Sequence, residues 1–229
     1  MLRIIFVRHG HPDYEKNCLT EAGHLQAEAA AQRLSGENVH AIYSSHYGRA
    51  VETAEHIAAK HGLPVQILDF MYELHWGSPD GTPLHKEGHP WFVAWDKIAD
   101  NVSLMSDNWQ EWEGFKGSII HDHIARVEKG IDAFLSELGY TREGNYYRVT
   151  KESDHTIILV SHAGSSNAAL AHMLNLPFPF VCPTMSPDFT GISIIAFRGK
   201  TGRLINPRVE ILSDARHIDG LRVEVVYKQ

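Results

Sequence analysis

Two short apolar segments constrain the fold of this 229-residue chain most strongly. Residues 3–7 and 156–161 are almost continuously apolar, as strands are when helices cover both faces of a parallel sheet. Segments with helical periodicity alternate with such strands along the chain. This alternation predicts an α/β fold, in which a mostly parallel central sheet is the middle layer of a three-layer α/β/α sandwich.

The other elements are predicted from the spacing of apolar residues and from residues that start or end helices. Thr20 is a candidate N-cap of the first helix, and Gly62 follows the second. The predicted helices span 20–35, 48–61, 118–138 and 165–175. The further predicted strands span 39–44, 65–68, 144–149, 192–198, 208–212 and 222–227.

Residues 74–117 differ in character from the rest of the chain. Glycine and proline interrupt this segment, and long regular periodicity is missing. All five tryptophans lie in it: Trp76, Trp91, Trp95, Trp109 and Trp112. We interpret the segment as a cap inserted into one domain that spans residues 1–229. Its tryptophans form either the small core of the cap or a wall of a substrate pocket.

The charge balance limits the partners. The formal net charge is −7, and Lys and Arg are scattered. Neither nucleic acid nor a membrane is expected as a partner, because both attract a basic face. No segment approaches the roughly 20 apolar residues of a membrane span, and the N-terminal apolar run is too short for a signal peptide. Cys18 and Cys182 are expected as reduced thiols, so we expect a cytoplasmic protein.

Charged and imidazole side chains come directly after four predicted strands. In open α/β sheets, ligands bind beyond the carboxyl ends of the strands, so these side chains should converge at one edge. In chain order they are Arg8 and His9, Arg49, Glu73 and His162. Because His9 should be exposed at a strand end, we expect its replacement by alanine to leave the fold intact.

These side-chain types can together transfer a phosphoryl group. A neutral imidazole such as that of His9 can attack phosphorus, and arginine forks match phosphate oxygens. Arg8, Arg49 and the second histidine would hold the phosphoryl oxygens, and Glu73 is the available proton donor. A helix that begins near Ser165 would add free N–H groups at its N-terminus.

Five ordered motifs make the chain resemble the histidine phosphatase superfamily, which includes the cofactor-dependent phosphoglycerate mutases. The matching segments are Arg8-His9-Gly10, Leu19-Thr20-Glu21-Ala22-Gly23 with Gln26-Ala27, Tyr43-Ser44-Ser45 with Arg49-Ala50 and Glu52-Thr53-Ala54, Glu73 with Trp76-Gly77, and Val160-Ser161-His162. They cover about residues 3–77 and 156–175, whereas 78–155 is not matched. The resemblance implies a phosphoglycerate mutase-like fold.

The resemblance also implies roles for individual residues. His9 would be the phosphorylated nucleophile, and Glu73 the proton donor. Arg8, Arg49 and His162 would hold the phosphoryl oxygens. Asn17 falls where family members often place a residue that touches the substrate. One departure is Ala163, because members usually have glycine after this histidine.

Two histidine pairs offer metal binding as an alternative reading. His85 and His89 are spaced four residues apart, and His121 and His123 flank Asp122. A third and fourth ligand are not evident near either pair, so a histidine-rich surface is favoured over a metal site. Arginine and histidine already supply the positive charge that phosphoryl transfer needs. We therefore expect an enzyme without metal or cofactor.

Three functions remain open at this point. The favoured one is a phosphatase that hydrolyses a small-molecule phosphate monoester through phosphohistidine. The others are a mutase of the phosphoglycerate type and a non-catalytic protein that binds a phosphorylated ligand. The cap holds three lysines against seven carboxylates, which disfavours a highly anionic substrate: Lys86, Lys97 and Lys116 against Asp80, Glu87, Asp96, Asp100, Asp107, Glu111 and Glu113. The expected partner is a small phosphorylated metabolite, and a homo-oligomer is left open.

Overall fold

The computed structural model describes residues 1–223. Its strands are β1 (Leu2–Arg8), β2 (Pro12–Asp13), β3 (Cys18–Leu19), β4 (Ala41–Ser44), β5 (Val65–Ile67), β6 (Tyr140–Glu143), β7 (Tyr146–Val149), β8 (Thr156–Ser161), β9 (Ile192–Phe197), β10 (Leu204–Ile205) and β11 (Arg208–Asp214). Its helices are α1 (Glu21–Leu34), α2 (Gly48–His61), α3 (Pro90–Ala99), α4 (Ile120–Glu137), α5 (Ala163–Leu174) and α6 (Phe178–Met185).

The central sheet is mostly parallel and six-stranded, in the order β11-β9-β1-β8-β4-β5. Strand β8 pairs in parallel with β1 on one side and β4 on the other, and β4 pairs in parallel with β5. Strand β9 runs antiparallel to both of its neighbours. Register places Arg8 beside Ser161, so β1 and β8 end at the same level.

Two separate apolar cores cover the two faces of this sheet. Along β1, Ile4 and Phe6 point into one core, whereas Ile5 and Val7 point into the other. Helices α4, α5 and α6 pack on the first face, and α1 and α2 on the second. Because successive side chains of a strand alternate, a strand between two helical layers must be apolar at nearly every position. The predicted three-layer sandwich is confirmed.

Helix boundaries follow local capping chemistry. Thr20 caps α1, and its hydroxyl accepts a hydrogen bond from the Gly23 N–H at 3.1 Å. Gly62 ends α2 in the left-handed conformation, with φ of 64°. The helix predicted at 165–175 instead begins at Ala163 and ends at Leu174, directly before Asn175, whose φ of 56° is left-handed.

Several elements were not predicted. The single strand expected at 144–149 is part of a hairpin, because β6 and β7 pair with each other and β10 adds a third strand. Helix α6 was not predicted from the sequence, because prolines interrupt its eight residues. In the strand predicted at 222–227, residues 222–223 are not in a strand, and the rest lies outside the described residues.

The cap, defined here as residues 74–117, contains α3 and short 3₁₀ turns. Phe115 is fully buried and Trp109 is 8 % exposed, and both belong to the core on the α4–α6 face. The cap is therefore anchored by aromatic side chains that extend the main core. Within residues 1–223, none of the helices is both long and apolar enough to cross a membrane.

Candidate active site

His9 lies directly after β1, at the carboxyl edge of the parallel strands. Its backbone N–H donates to the Ser161 carbonyl at 2.9 Å, which continues the β1–β8 ladder past the end of β1. The side chain is only 2 % exposed. The expectation of an exposed His9 is therefore wrong, because loops and helices that converge on this edge cover the strand end.

Hydrogen bonds fix the ring of His9 in one tautomer. Its Nδ1 lies 2.7 Å from the Gly10 carbonyl oxygen, which can only accept, so Nδ1 carries the hydrogen. Its Nε2 therefore carries the lone pair of the ring, which accepts a long hydrogen bond from Arg49 Nε at 3.3 Å. Burial, followed by the charges of Arg8 and Arg49, holds the pKa of His9 well below 6.5. The ring is thus a neutral base whose lone pair is on Nε2.

Close backbone packing holds the loop that carries His9. A side chain on Gly10 would meet the Gly23 carbonyl, because a Cβ there would lie 2.5 Å from that oxygen. The Gly10 N–H donates to the Thr53 hydroxyl at 3.0 Å. Glycine at position 10 therefore lets this loop lie directly on the first turn of α1, and Thr53 ties it to α2.

Arg49 reaches His9 from the first turn of α2. It is 6 % exposed, and its Nη1 donates to Asn17 Oδ1 at 2.7 Å. Burial lowers the pKa of Arg49, and the negative charge of Glu73 is the strongest influence against that shift. Asn17 was proposed as a residue that touches substrate, and the structure places it against the guanidinium of Arg49. Its described contact is therefore one that orients Arg49.

Arg8 is the last residue of β1. Its Nη1 donates to the Pro187 carbonyl at 2.9 Å, and its guanidinium lies over the Phe189 ring, 4.1 Å from the centroid. Its Nε is buried and has no hydrogen-bond partner among the described residues. Arg8 therefore keeps a buried donor that the described residues do not use, and its charge acts on His9.

His162 follows β8, with its ring centroid 5.1 Å from that of His9. It is fully buried, and its Nε2 lies 2.7 Å from the Ser45 hydroxyl. Its Nδ1 is buried without a partner in the part of the chain that the structure describes. Burial, followed by electrostatic interactions with His9 and Arg49, holds the pKa of His162 well below 6.5.

Glu73 lies against the N-terminus of α5. Its carboxylate accepts from the backbone N–H groups of Leu74 at 2.8 Å, Ser165 at 3.0 Å and Gly164 at 3.3 Å. The N–H groups at this helix start were expected to be free for phosphate, and that is wrong for Gly164 and Ser165. A carboxylate is a favourable partner for a helix N-terminus, so Glu73 also caps α5.

Ala163, where the chain departs from the family pattern, lies at a position that can hold a side chain. A Cβ on Gly164 would lie 2.5 Å from the Glu73 carboxylate, so this residue cannot carry a side chain without displacing Glu73. Ala163 is 7 % exposed and lines a cavity. The second position of the pair is the one that requires glycine, and the chain has glycine there.

A cavity of about 110 Å³ connects the strand ends with the cap. Its walls are Arg8, Tyr14, Glu73, Trp76, His89, Trp91, Ala163 and Ser186. Tyr14, His89 and Ser186 were not predicted as site residues. They lie in loops without a motif, and only the fold brings them to the cavity. The sequence signal that existed was the clustering of tryptophans in the cap.

The comparisons with known proteins agree with this geometry. A family model described as the histidine phosphatase superfamily, branch 1, matches residues 4–207. The chain belongs to this superfamily.

Relatives include both phosphatases and a mutase. Glucosyl-3-phosphoglycerate phosphatase of Mycobacterium tuberculosis is 28 % identical over 187 residues, which is 76 % of each chain. A probable phosphoglycerate mutase of Photorhabdus laumondii is 35 % identical over 86 residues, covering 34 % of this chain and 40 % of that one.

The fold recurs in a phosphoserine phosphatase of Entamoeba histolytica, solved in complex with 3-phosphoglyceric acid. The TM-score is 0.64 at 22 % identity, and the match covers 95 % of this chain and 100 % of that chain. At this identity the likeness shows the fold. The expected phosphoglycerate mutase-like architecture of this histidine phosphatase is thus confirmed.

The histidine pairs outside the strand-end site have other partners. His85 Nε2 lies 2.6 Å from Asp96 Oδ2, and His121 Nε2 lies 2.8 Å from the Phe115 carbonyl. His89 stacks on Phe92, and Nδ1 of His123 lies 2.8 Å from the Arg126 guanidinium. Among residues 1–223, no group of three or more His, Cys, Asp or Glu side chains is arranged to hold a metal ion.

Proposed function

We propose that this histidine phosphatase hydrolyses phosphate monoesters of small molecules through a phosphohistidine at His9. Nε2 of His9 attacks phosphorus, and the bond from phosphorus to the leaving oxygen breaks. Glu73 gives its proton to the leaving alkoxide. Water then gives a proton to the Glu73 carboxylate and attacks the phosphorus of phospho-His9. The N–P bond breaks, which releases inorganic phosphate and restores both the neutral imidazole and the Glu73 acid.

One observation carries this proposal: a neutral nucleophile is surrounded by donors that the protein itself does not use. His9 presents its Nε2 lone pair, and both Arg8 Nε and His162 Nδ1 are buried without partners among the described residues. Buried donors normally find acceptors, so a pair of unused ones beside a nucleophile fits an anionic group. A phosphoryl group spreads its charge over equatorial oxygens that such donors can stabilise.

Hydrolysis is favoured over mutase chemistry by the charges near the cavity. Nζ of Lys116 lies 3.0 Å from Glu111 and that of Lys86 3.9 Å from Asp96, while Lys97 lies over the Trp112 ring. None of these lysines lines the cavity. A mutase that handles a bisphosphorylated acid needs cations for the second phosphate.

The test compares release of inorganic phosphate, expected of a phosphatase, with transfer of the phosphoryl group back to the substrate, expected of a mutase. The enzyme should release inorganic phosphate from an aryl phosphate, and an alkaline quench should trap phosphate on His9. Incubation with 3-phosphoglycerate should give no 2-phosphoglycerate. Isomerisation without phosphate release would establish the mutase instead, and phosphate binding without turnover would establish the non-catalytic alternative.

Two further expectations belong to this proposal. A small phosphorylated metabolite is the partner, and a cytoplasmic location is supported by the free thiols of Cys18 and Cys182. Cell fractionation with an antibody to the chain tests the location, and detection in an oxidising compartment would contradict it.

A further inference from the structure

The cavity has two chemically different ends. At the strand edge, Arg8 and Glu73 are its charged walls. The cap contributes Trp76, His89 and Trp91 to the walls of the other end, the cap end, and loops outside the cap contribute Tyr14 and the neutral Ser186 hydroxyl. Because Arg8 and the proposed acid Glu73 both line this cavity, the leaving group of the proposed substrate would lie in it.

His89 makes the cap end uncharged at neutral pH. It stacks on Phe92 with centroids 4.1 Å apart and meets Trp76 edge-on at 4.7 Å. Burial lowers the pKa of His89, so the ring is neutral and offers one donor and one acceptor. Hydroxyl groups of a ligand match such a ring, together with the Ser186 hydroxyl.

A carboxylate would be poorly placed at this end. The faces of aromatic rings are electrically negative and repel anions. None of the three cap lysines lines this cavity, and Lys86 lines a different hollow with Phe92, Trp95 and Asp96. An anion buried without a cation or strong donors is costly, so the cap end discriminates by charge.

We propose that the cap end of the cavity selects phosphate monoesters with an uncharged, hydroxyl-bearing leaving group and rejects those with a carboxylate. This inference rests on the proposed phosphatase function and narrows its substrate class. It separates this chain from the phosphoserine phosphatase of similar fold, whose complex contains 3-phosphoglyceric acid.

The experiment uses two substrates that differ at one carbon. Glycerol 3-phosphate carries a hydroxymethyl group where 3-phosphoglycerate carries a carboxylate. We expect kcat/KM to be about tenfold or more higher for glycerol 3-phosphate, the range over which a binding pocket discriminates a single group. The proposed selectivity would be overturned if kcat/KM were equal for the two substrates or higher for 3-phosphoglycerate. It would also be overturned if the enzyme hydrolysed an aryl phosphate but neither of these two substrates. Failure of the aryl phosphate as well would refute the phosphatase function instead.

Two histidine variants test whether His89 causes the preference for glycerol 3-phosphate over 3-phosphoglycerate. His89→Arg places a cation at the cap end and should reduce the preference for glycerol 3-phosphate or reverse it. His85→Arg is the matched control, since His85 lies in the same segment but outside this cavity, and it should keep the wild-type ratio. An unchanged ratio in a folded His89→Arg protein would contradict the role of His89.

A second inference concerns Ser45, which is fully buried. Its hydroxyl oxygen accepts from the Tyr47 N–H at 3.3 Å and lies 2.7 Å from His162 Nε2. Among the described residues, His162 Nε2 is the one acceptor in reach of the Ser45 hydrogen. Because a buried hydroxyl hydrogen needs an acceptor, the geometry points to Ser45 donating to Nε2.

This bond would make Ser45 a positioning residue that sets the tautomer of His162. With Nε2 accepting, the hydrogen of the neutral ring must reside on Nδ1, the buried atom without a partner. His162 would then donate to a phosphoryl oxygen through Nδ1 while remaining uncharged. The opposite tautomer would present a lone pair to the anion and repel it.

Nitrogen-15 NMR of the unmodified protein tests the tautomer directly. We expect His162 to show a protonated Nδ1, and a protonated Nε2 would overturn the inference. Ser45→Ala should weaken inhibition by inorganic phosphate about tenfold, the loss expected for one hydrogen bond to a charged group. Ser44→Ala is the matched control, because its hydroxyl donates to the Ser45 carbonyl and should leave inhibition unchanged. Wild-type inhibition in folded Ser45→Ala would also refute the role.

Discussion

The strand-end site and the cap are built in different ways. At the strand ends, His9, Arg49 and His162 are each no more than 6 % exposed, and directional hydrogen bonds hold them. In the cap, His89 and its neighbours are held mainly by ring contacts. Ring contacts tolerate changes of side chain that hydrogen bonds do not. We therefore expect the proposed reaction to depend on the strand ends and the choice of leaving group to depend on the cap.

The largest expected effect is at the nucleophile. His9→Ala should lower kcat by about 10⁴-fold or more, as loss of a covalent nucleophile does. Steady-state kinetics on an aryl phosphate provide the measurement. His9→Asn keeps a polar side chain in this buried position and should be equally inactive, with circular dichroism reporting the fold. Activity near that of the wild type in either variant would remove His9 from its proposed role.

Glu73 should show a smaller effect that depends on the leaving group. Glu73→Gln should lower kcat about 10²- to 10³-fold on an alkyl phosphate, because general acid catalysis contributes on that scale. On an aryl phosphate the loss should be much smaller, since a phenolate leaves without a proton. Asp69→Asn is a control from a nearby carboxylate that pairs with His46. An equal loss on both substrates would indicate that Glu73 acts only as the cap of α5.

Two tryptophans test whether cap residues act on substrate or only on packing. Trp91 lines the same cavity as Arg8 and Glu73, whereas Trp95 lines a separate hollow. Trp91→Ala should raise KM for a good alkyl substrate about tenfold, the scale of a lost pocket contact. Its effect on the aryl phosphate should be weaker. Trp95→Ala should change thermal stability while the substrate profile stays constant. Identical profiles in the two variants would favour a purely structural cap.

Acid should destabilise the strand-end site. The folded pKa values of His9 and His162 lie well below 6.5, so the unfolded chain binds protons first as the pH falls. Their contribution to the free energy of unfolding is complete above about pH 6.5 and falls below it, by about 1 kcal/mol per histidine at about pH 5.5. Urea unfolding at the two pH values measures this loss, which His9→Asn should reduce.

For the same reason, the acid limb of kcat/KM should lie below pH 6.5. A limb above pH 6.5 would show that His9 is protonated too readily to serve as the nucleophile.

Metal removal should have the smallest effect. Chelator treatment followed by desalting should leave kcat unchanged, because arginine and histidine provide the positive charge at the site. The control is a divalent ion added back to the treated enzyme. A loss that the ion restores would revive the histidine pairs as metal ligands.

The sequence by itself determined the sheet and the strand-end residues. Segments buried on both faces must be apolar throughout, so β1 and β8 were visible without any tertiary information. Residues directly after parallel strands must converge at one edge, and this placed Arg8, His9 and His162 together. Arg49 and Glu73 follow two further predicted strands, and the family motifs assigned each of these residues an expected role.

Only the tertiary structure decided what these residues touch. Burial of His9, the Glu73 cap on α5 and the contact between Ser45 and His162 join segments far apart in the chain. The same holds for Tyr14, His89 and Ser186 around the cavity. Local periodicity reports which face of an element is buried, whereas hydrogen-bond partners and pocket walls depend on how distant loops pack. That packing is settled by the whole core, and no single stretch of sequence contains it.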